Sequence, residues 1–285
     1  MPTNIMLHLI CIKMFEIITQ TFFINAFLVT ILIGFVASYY GVFIVQRQMS
    51  FLGSGLAHSA FGGVALGILL GTQPLLVAVP FTILIALLIA YFKERTSLSN
   101  DTLIGIFFST AVALGIIFLS LKSNYTTDAF TYLFGSILSV NSTDIIASII
   151  LFIFTTIIYF AFWSRWAYST FDVELAVVDK LPVKFDNYIL SVAVALTIVI
   201  SIKIIGIILI SAYIVLPASI ARLISKTFYQ MTIASIIIGI LTGLIGLFIS
   251  IFVDLPSGAV IVLLQSMIFL SVFIFKNKFS QSENQ

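Results

Sequence analysis

Residues 49–71 read MSFLGSGLAHSAFGGVALGILLG. The run is apolar enough to lie in a membrane, yet Gly55, Ser59, Gly63, Gly67 and Gly71 recur at every fourth position. Four residues is about one helical turn, so a helix lines these small side chains into one ridge. In lipid, where no hydrophobic force draws helices together, such a ridge lets a second backbone approach closely. Pro217 sits in a later apolar segment and predicts a kink there, because proline removes one rung of the helical ladder. On the same helix as the ridge lies His58, the one histidine in the hydrophobic body of the chain. It reads either as a transient metal ligand or as a histidine hydrogen-bonded between helices.

Composition extends this reading to the whole chain. Of 285 residues, 61% are hydrophobic and 8% charged, against roughly 25% charged in soluble domains. Apolar runs repeatedly reach the ~20 residues that cross a bilayer as a helix. They are continuous rather than alternating, which disfavours a β-barrel. The fold class is therefore an all-α polytopic membrane protein. About nine transmembrane helices are expected, within a range of eight to ten, over 16–45, 52–70, 74–92, 103–121, 145–163, 188–202, 204–223, 228–252 and 257–275. A net charge of +2 gives no reason to expect a nucleic-acid partner, and a single cysteine, Cys11, excludes a disulfide framework. Residues 1–15 read as an N-terminal extension, with Met14 an alternative start. Residues 16–276 form one transmembrane domain, and 277–285 a polar, disordered tail. His8 lies in the extension and receives no role.

Basic residues orient the chain. With the N-terminus outside and nine crossings, Arg47, Lys93, Arg95, Arg165, Lys180, Lys184, Arg222, Lys226, Lys276 and Lys278 face the cytoplasm, while Lys13, Lys122 and Lys203 face outward. That orientation requires the short segment 132–138 to dip rather than cross. It places the polar stretch 164–187 inside the cell. Within it, residues 171–181 read as a short helix, with Ser169 or Thr170 at its start, Asp172 and Glu174 in its first turn and Pro182 at its end. This helix either rests on lipid headgroups or docks a soluble partner. Its acidic start favours the partner, because surface-binding helices are usually rich in Lys and Arg. Asp254, Pro256 and Gly258 predict a tight outward turn.

Several chemistries are missing from the sequence. There is no phosphate-binding glycine loop ending in Lys-Ser/Thr, no HExxH and no GxSxG. Acidic residues fall at segment ends or in loops, whereas ion-coupled transporters place ionisable groups at membrane depth. A transporter with neither feature draws its energy from another subunit.

Taken together, RQMSFLG at 47–53, GLAHSA at 55–60, GVALG at 63–67, LFGSIL at 133–138, FDVELA at 171–176, GIILISA at 206–212, LPA at 216–218, Ala221-Arg222 and DLPSGA at 254–259 are specific. The chain resembles the permease subunit of bacterial ABC importers for divalent metals, the zinc/manganese/iron family. The resemblance implies a type II ABC importer permease-like bundle in the plasma membrane, no stably bound cofactor, and a divalent metal ion as substrate. It implies a homodimer, a pair of cytoplasmic ATPase subunits and an extracytoplasmic metal-binding protein. Phe171, Asp172, Glu174, Leu175 and Ala176 would contact the ATPase. His58 would meet the metal, with Ser54, Gly55, Ser59, Gly63, Gly67 and Pro217 in the packing or pathway. The family commonly has an acidic residue where this chain has Ser54, so the ligand set here is poorer. Zinc is the favoured substrate. Manganese, iron, or an iron chelate or cobalamin are the alternatives, and a stand-alone channel or secondary transporter is the reading from a different class.

Overall fold

The computed structural model describes residues 20–122, Tyr132, Gly135 and 140–282, and all of its regular elements are helices. In chain order these are α1 Thr21–Gln46, α2 Ser50–Leu69, α3 Pro74–Arg95, α4 Asn100–Ser120, α5 Ser142–Phe171, α6 Val173–Val178, α7 Val183–Ile205, α8 Ile207–Ile224, α9 Phe228–Val253 and α10 Ser257–Ser282. Among the described residues eight are long and apolar enough to cross a membrane, and α8 holds a shorter apolar stretch, Leu209–Ile224. Residues 1–15, Cys11, His8 and most of the 132–138 segment lie outside the described residues. The polar end expected as a disordered tail begins as helix, since α10 continues to Ser282.

The helices form an inner group and an outer shell. On α1 and α2 most side chains are buried, with Tyr39, Tyr40, Phe43, Leu52 and Leu56 among the largest enclosed groups. The outer helices expose Leu84, Ile106, Ile150, Phe160 and Leu263. In water such a surface would be a liability; in a bilayer it is the surface that lipid covers. Some hydroxyls inside the bundle bond back to their own helix, as Thr82 Oγ1 donates to the Ala78 carbonyl at 2.8 Å and Ser201 Oγ to the Thr197 carbonyl at 2.6 Å, while Ser235 Oγ donates across helices to the Ser38 carbonyl at 3.0 Å.

The two ends of the bundle differ in chemistry. At one end Arg47, Arg165, Arg222 and Lys276 are all engaged with chain termini of helices. At the other, Lys122 Nζ donates at 2.6 Å to the Ile68 carbonyl at the end of α2, which also accepts from the Gly71 N–H at 3.2 Å. α4 ends beside α2 there, and α5 ends at the basic end beside Arg47. The chain reverses from α7 to α8 at Gly206, whose φ of 94° is open to glycine but not to a side chain. Gly135 lies directly against the backbone of Gly206 and Ile205. The predicted outward turn is present: Asp254 is left-handed at φ 55°, and the Leu255 N–H bonds to the Ser250 carbonyl at 3.2 Å.

The polar stretch expected as a long cytoplasmic loop is corrected by the structure. Residues 164–171 continue α5, and 183–187 begin α7, leaving only α6 and its short links between them. Polar side chains mark where the helices leave the hydrocarbon, not where the helices stop.

Candidate functional site

The α2 ridge is built by backbone contact. A Cβ placed on Gly63 would lie 2.7 Å from the Ala78 Cα, and one on Gly67 would lie 2.7 Å from the Pro74 Cα, both on α3. Gly55 instead meets Ile104 of α4, and Ser59 is fully enclosed, its hydroxyl bonded to the Gly55 carbonyl at 2.7 Å. The single ridge therefore serves two neighbours, α4 at its start and α3 further along. Gly62 was outside the four-residue spacing, yet it is just as tight, with the Ala111 carbonyl 2.6 Å from its would-be Cβ. Gly71 leaves the ridge altogether: it follows the helix, with φ 67° and open space around it.

His58 is half-buried on α2. Its Nδ1 donates to the Ser54 carbonyl one turn back, at 2.9 Å, since a carbonyl only accepts. In the neutral ring that bond leaves the Nε2 lone pair available. The ring stands edge-on to Phe108 of α4, centroids 5.0 Å apart. A histidine held through one nitrogen to a backbone carbonyl, with the other presented as a base, has the orientation seen in metal-ligating histidines. Among the described residues no group of three His, Cys, Asp or Glu side chains converges on a metal position. Ser54 reaches His58 through its backbone, and a Cβ placed on Gly53 would lie 3.6 Å from Ser211 of α8. Pro217 is distant in chain but belongs to the same α8, which stays one helix through it. One turn before it, the Ile214 carbonyl takes the close approach of Gly41 on α1.

The second cluster lies at the basic end. Asp172 caps α6: its φ of −144° is extended, and its side chain accepts from the Leu175 N–H at 2.8 Å. Ser169 and Thr170 belong instead to the last turn of α5, where both hydroxyls bond to the Trp166 carbonyl. Phe171 closes α5 rather than opening the short helix. Ala176 is buried beneath α6, while Phe171, Val173, Leu175, Val177 and Val178 are exposed and Glu174 stands in the first turn. The outcome is a small apolar knob rimmed by acids. Asp172→Ala is expected to cost α6 roughly 1 kcal/mol of helix stability, as loss of an N-cap does. Amide exchange over 173–178 should quicken while the long helices stay protected.

The base of this hairpin is cross-linked by arginines. Arg165 forms a two-point bond to the buried Asp186 at the start of α7 and stacks 4.9 Å over Phe162. Arg47, from the α1–α2 corner, donates to Thr170 Oγ1 at 2.9 Å, Asn187 Oδ1 at 2.7 Å, Ser169 Oγ at 3.2 Å and the Trp166 carbonyl at 3.3 Å. Burial pushes its guanidinium down to about 10, opposed by the nearby Asp186, so it remains charged at neutral pH. Nothing in the spacing pointed to these partners, which lie 119 to 140 residues away in sequence.

Among the described residues, eight helices long and apolar enough to cross a membrane, a close-packed inner helix bearing His58, and an exposed hairpin at the basic end fit a multi-pass membrane protein of the permease type. The chain belongs to the ABC 3 transport family, whose pattern matches residues 19–276. It is 35% identical over 263 residues to the high-affinity zinc uptake system membrane protein ZnuB of Haemophilus influenzae, covering 91% of this chain and 98% of that protein. It is 34% identical over 258 residues to the manganese transport system membrane protein MntC of Listeria monocytogenes, covering 90% and 92%. A solved structure, PsaBC from Streptococcus pneumoniae in complex with Fab, superposes with a TM-score of 0.82 at 33% identity, over 93% of this chain and 95% of that one. The family is the one to which the sequence motifs pointed. The chain is thus a plasma-membrane permease subunit of an ABC transporter and not itself an enzyme.

Proposed function

We propose that the chain forms the membrane path of an ATP-driven importer of divalent metal ions, with zinc as the preferred ion. Two copies would enclose the path and alternate access between its two sides. A pair of cytoplasmic ATPases would seat on the α5–α6–α7 hairpins, and an extracytoplasmic metal-binding protein would deliver the ion to the opposite face. The observation that carries this reading is the pairing of two features on one bundle: His58, with Nδ1 tied to the Ser54 carbonyl and Nε2 as the base, and the exposed α6 knob at the basic end. The relatives named for zinc and for manganese are equally similar and do not separate the ions. The side chains favour zinc. Imidazole suits zinc, manganese is better served by carboxylate, and the position one turn before His58 holds serine. A weak ligand set suits passage, because a conducted ion must leave as readily as it enters.

The test is reconstitution in vesicles with the ATPase and binding protein. ATP-dependent zinc uptake is expected, and uptake that persists without ATP would rule the reading out. Saturating uptake of manganese but not zinc would overturn the choice of ion alone. Glu174→Arg reverses the charge in the first turn of α6, where the helix dipole favours an anion. It is expected to lower co-purification of the ATPase several-fold; undiminished co-purification would remove the α6 hairpin from the docking surface.

A further inference from the structure

Arg47 stands outside the two features just used, yet it touches the elements that carry both. Its backbone sits in a three-residue link between α1 and α2 that has no slack. The Arg47, Gln48 and Met49 N–H groups bond back to Phe43, Val45 and Ile44 at 2.9, 3.2 and 2.9 Å, and Leu52 N–H bonds to Met49 at 2.8 Å. Gln48 takes a left-handed conformation, φ 56°, to make the corner. A push on Arg47 is therefore delivered to the first turn of α2, the helix that bears His58. Its side chain, meanwhile, holds only the hairpin: Trp166, Ser169 and Thr170 at the end of α5, and Asn187 at the start of α7. These acceptors bracket α6 on both sides. Each guanidinium nitrogen is engaged, and the planar fork fixes direction as well as distance. Arg165 and Asp186 brace the same hairpin by tying the end of α5 to the start of α7.

We propose that Arg47 is the positioning residue that locks the α6 hairpin to the start of α2, so that a displacement of the hairpin becomes a displacement of the helix carrying His58. The proposal rests on the reading of α6 as the ATPase contact. The route is mechanical and short: ATPase to α6, α6 to the ends of α5 and α7, those ends to Arg47, and Arg47 through the tight corner to α2. Metal and ATPase sites on opposite parts of the bundle are thereby biased by one two-state element.

Two measurements decide it. In reconstituted vesicles, zinc uptake per ATP hydrolysed should fall at least about fivefold in Arg47→Met, the low end of ordinary intersite coupling. Arg47→Lys, which keeps the charge and loses the fork, should show the same direction. The double variant Thr170→Ala, Asn187→Ala should reproduce the fall without altering the α1–α2 corner. A role in folding alone would lower assembly and hydrolysis together and leave that ratio unchanged, and an unchanged ratio overturns the proposal. Independently, with Cys11 replaced by serine, nitroxides at Ser50→Cys and Val178→Cys report the α2-to-α6 distance by pulsed electron resonance with and without ATP. One narrow distance in both states, broadened by Arg47→Met, supports the lock; identical distributions with and without Arg47 overturn it. If the unaltered chain shows no ATP-coupled uptake, the importer reading fails on that result, while the nitroxide distances still judge the lock.

Discussion

Gly63→Leu is expected to leave no folded protein in the membrane. A Cβ there already lies 2.7 Å from the Ala78 Cα and 3.0 Å from the Phe81 Cβ, so the obstacle is α3 backbone rather than a side chain that can turn away. Overpacking that side chains absorb costs about 1–3 kcal/mol. Parting two backbones costs more than that, because every contact along the α2–α3 seam is loosened with it. Detergent extraction followed by size-exclusion chromatography should show loss of the monodisperse species. Gly105→Ala on α4 is the matched control. No heavy atom lies within 4 Å of a Cβ at that position, and alanine is the better helix former. It should be neutral or slightly stabilising, and equal damage by the two substitutions would refute the packing role of the ridge.

His58→Ala is expected to abolish most transport while leaving the bundle intact. The ring is half-buried, it hydrogen-bonds within α2 to the Ser54 carbonyl, and it stands edge-on to Phe108. Loss of an outer-shell partner of a metal ligand already costs about 10- to 100-fold, so loss of the ligand itself should lower zinc uptake by at least about tenfold. Ser54→Asp places a carboxylate one turn before the imidazole and should shift preference towards manganese, since carboxylate oxygens suit that ion. Competition between the two metals during uptake reads the shift. Unchanged uptake in His58→Ala would return the histidine to packing.

Much of the fold was legible because a bilayer imposes a length rule. Apolar runs had to be helices of about the right span, and basic residues then oriented them. The errors came where that rule ends. Residues 164–171 and 183–187 are polar and were read as loop, yet the backbone there is helix, because composition reports solvent and not hydrogen bonding. Ser169 or Thr170 is the start that the sequence suggests for α6, with Asp172 in the first turn; the cap is instead Asp172, where the backbone turns extended at φ −144°. The glycine spacing announced a close approach but not its partners, which proved to be α4 for Gly55 and α3 for Gly63. His58 was legible as the one histidine in the hydrophobic body. Arg47 was legible only as a cytoplasmic charge, because its partners lie far away in sequence and are brought to it by the packing of α1 against α5.

The length of α5 bears on what α6 can meet. Thirty residues of helix extend about 45 Å, whereas hydrocarbon and headgroups together are about 40–45 Å thick. α5 opens on the Asn141–Asp144 capping box, and standing along the membrane normal it is long enough to carry α6 to the edge of the headgroups. A helix meant to lie among lipids sits about 5–10 Å deep in the boundary, well below that height. On the importer reading proposed above, the knob formed by Leu175, Val177 and Val178 would then stand at the elevation where a soluble ATPase arrives.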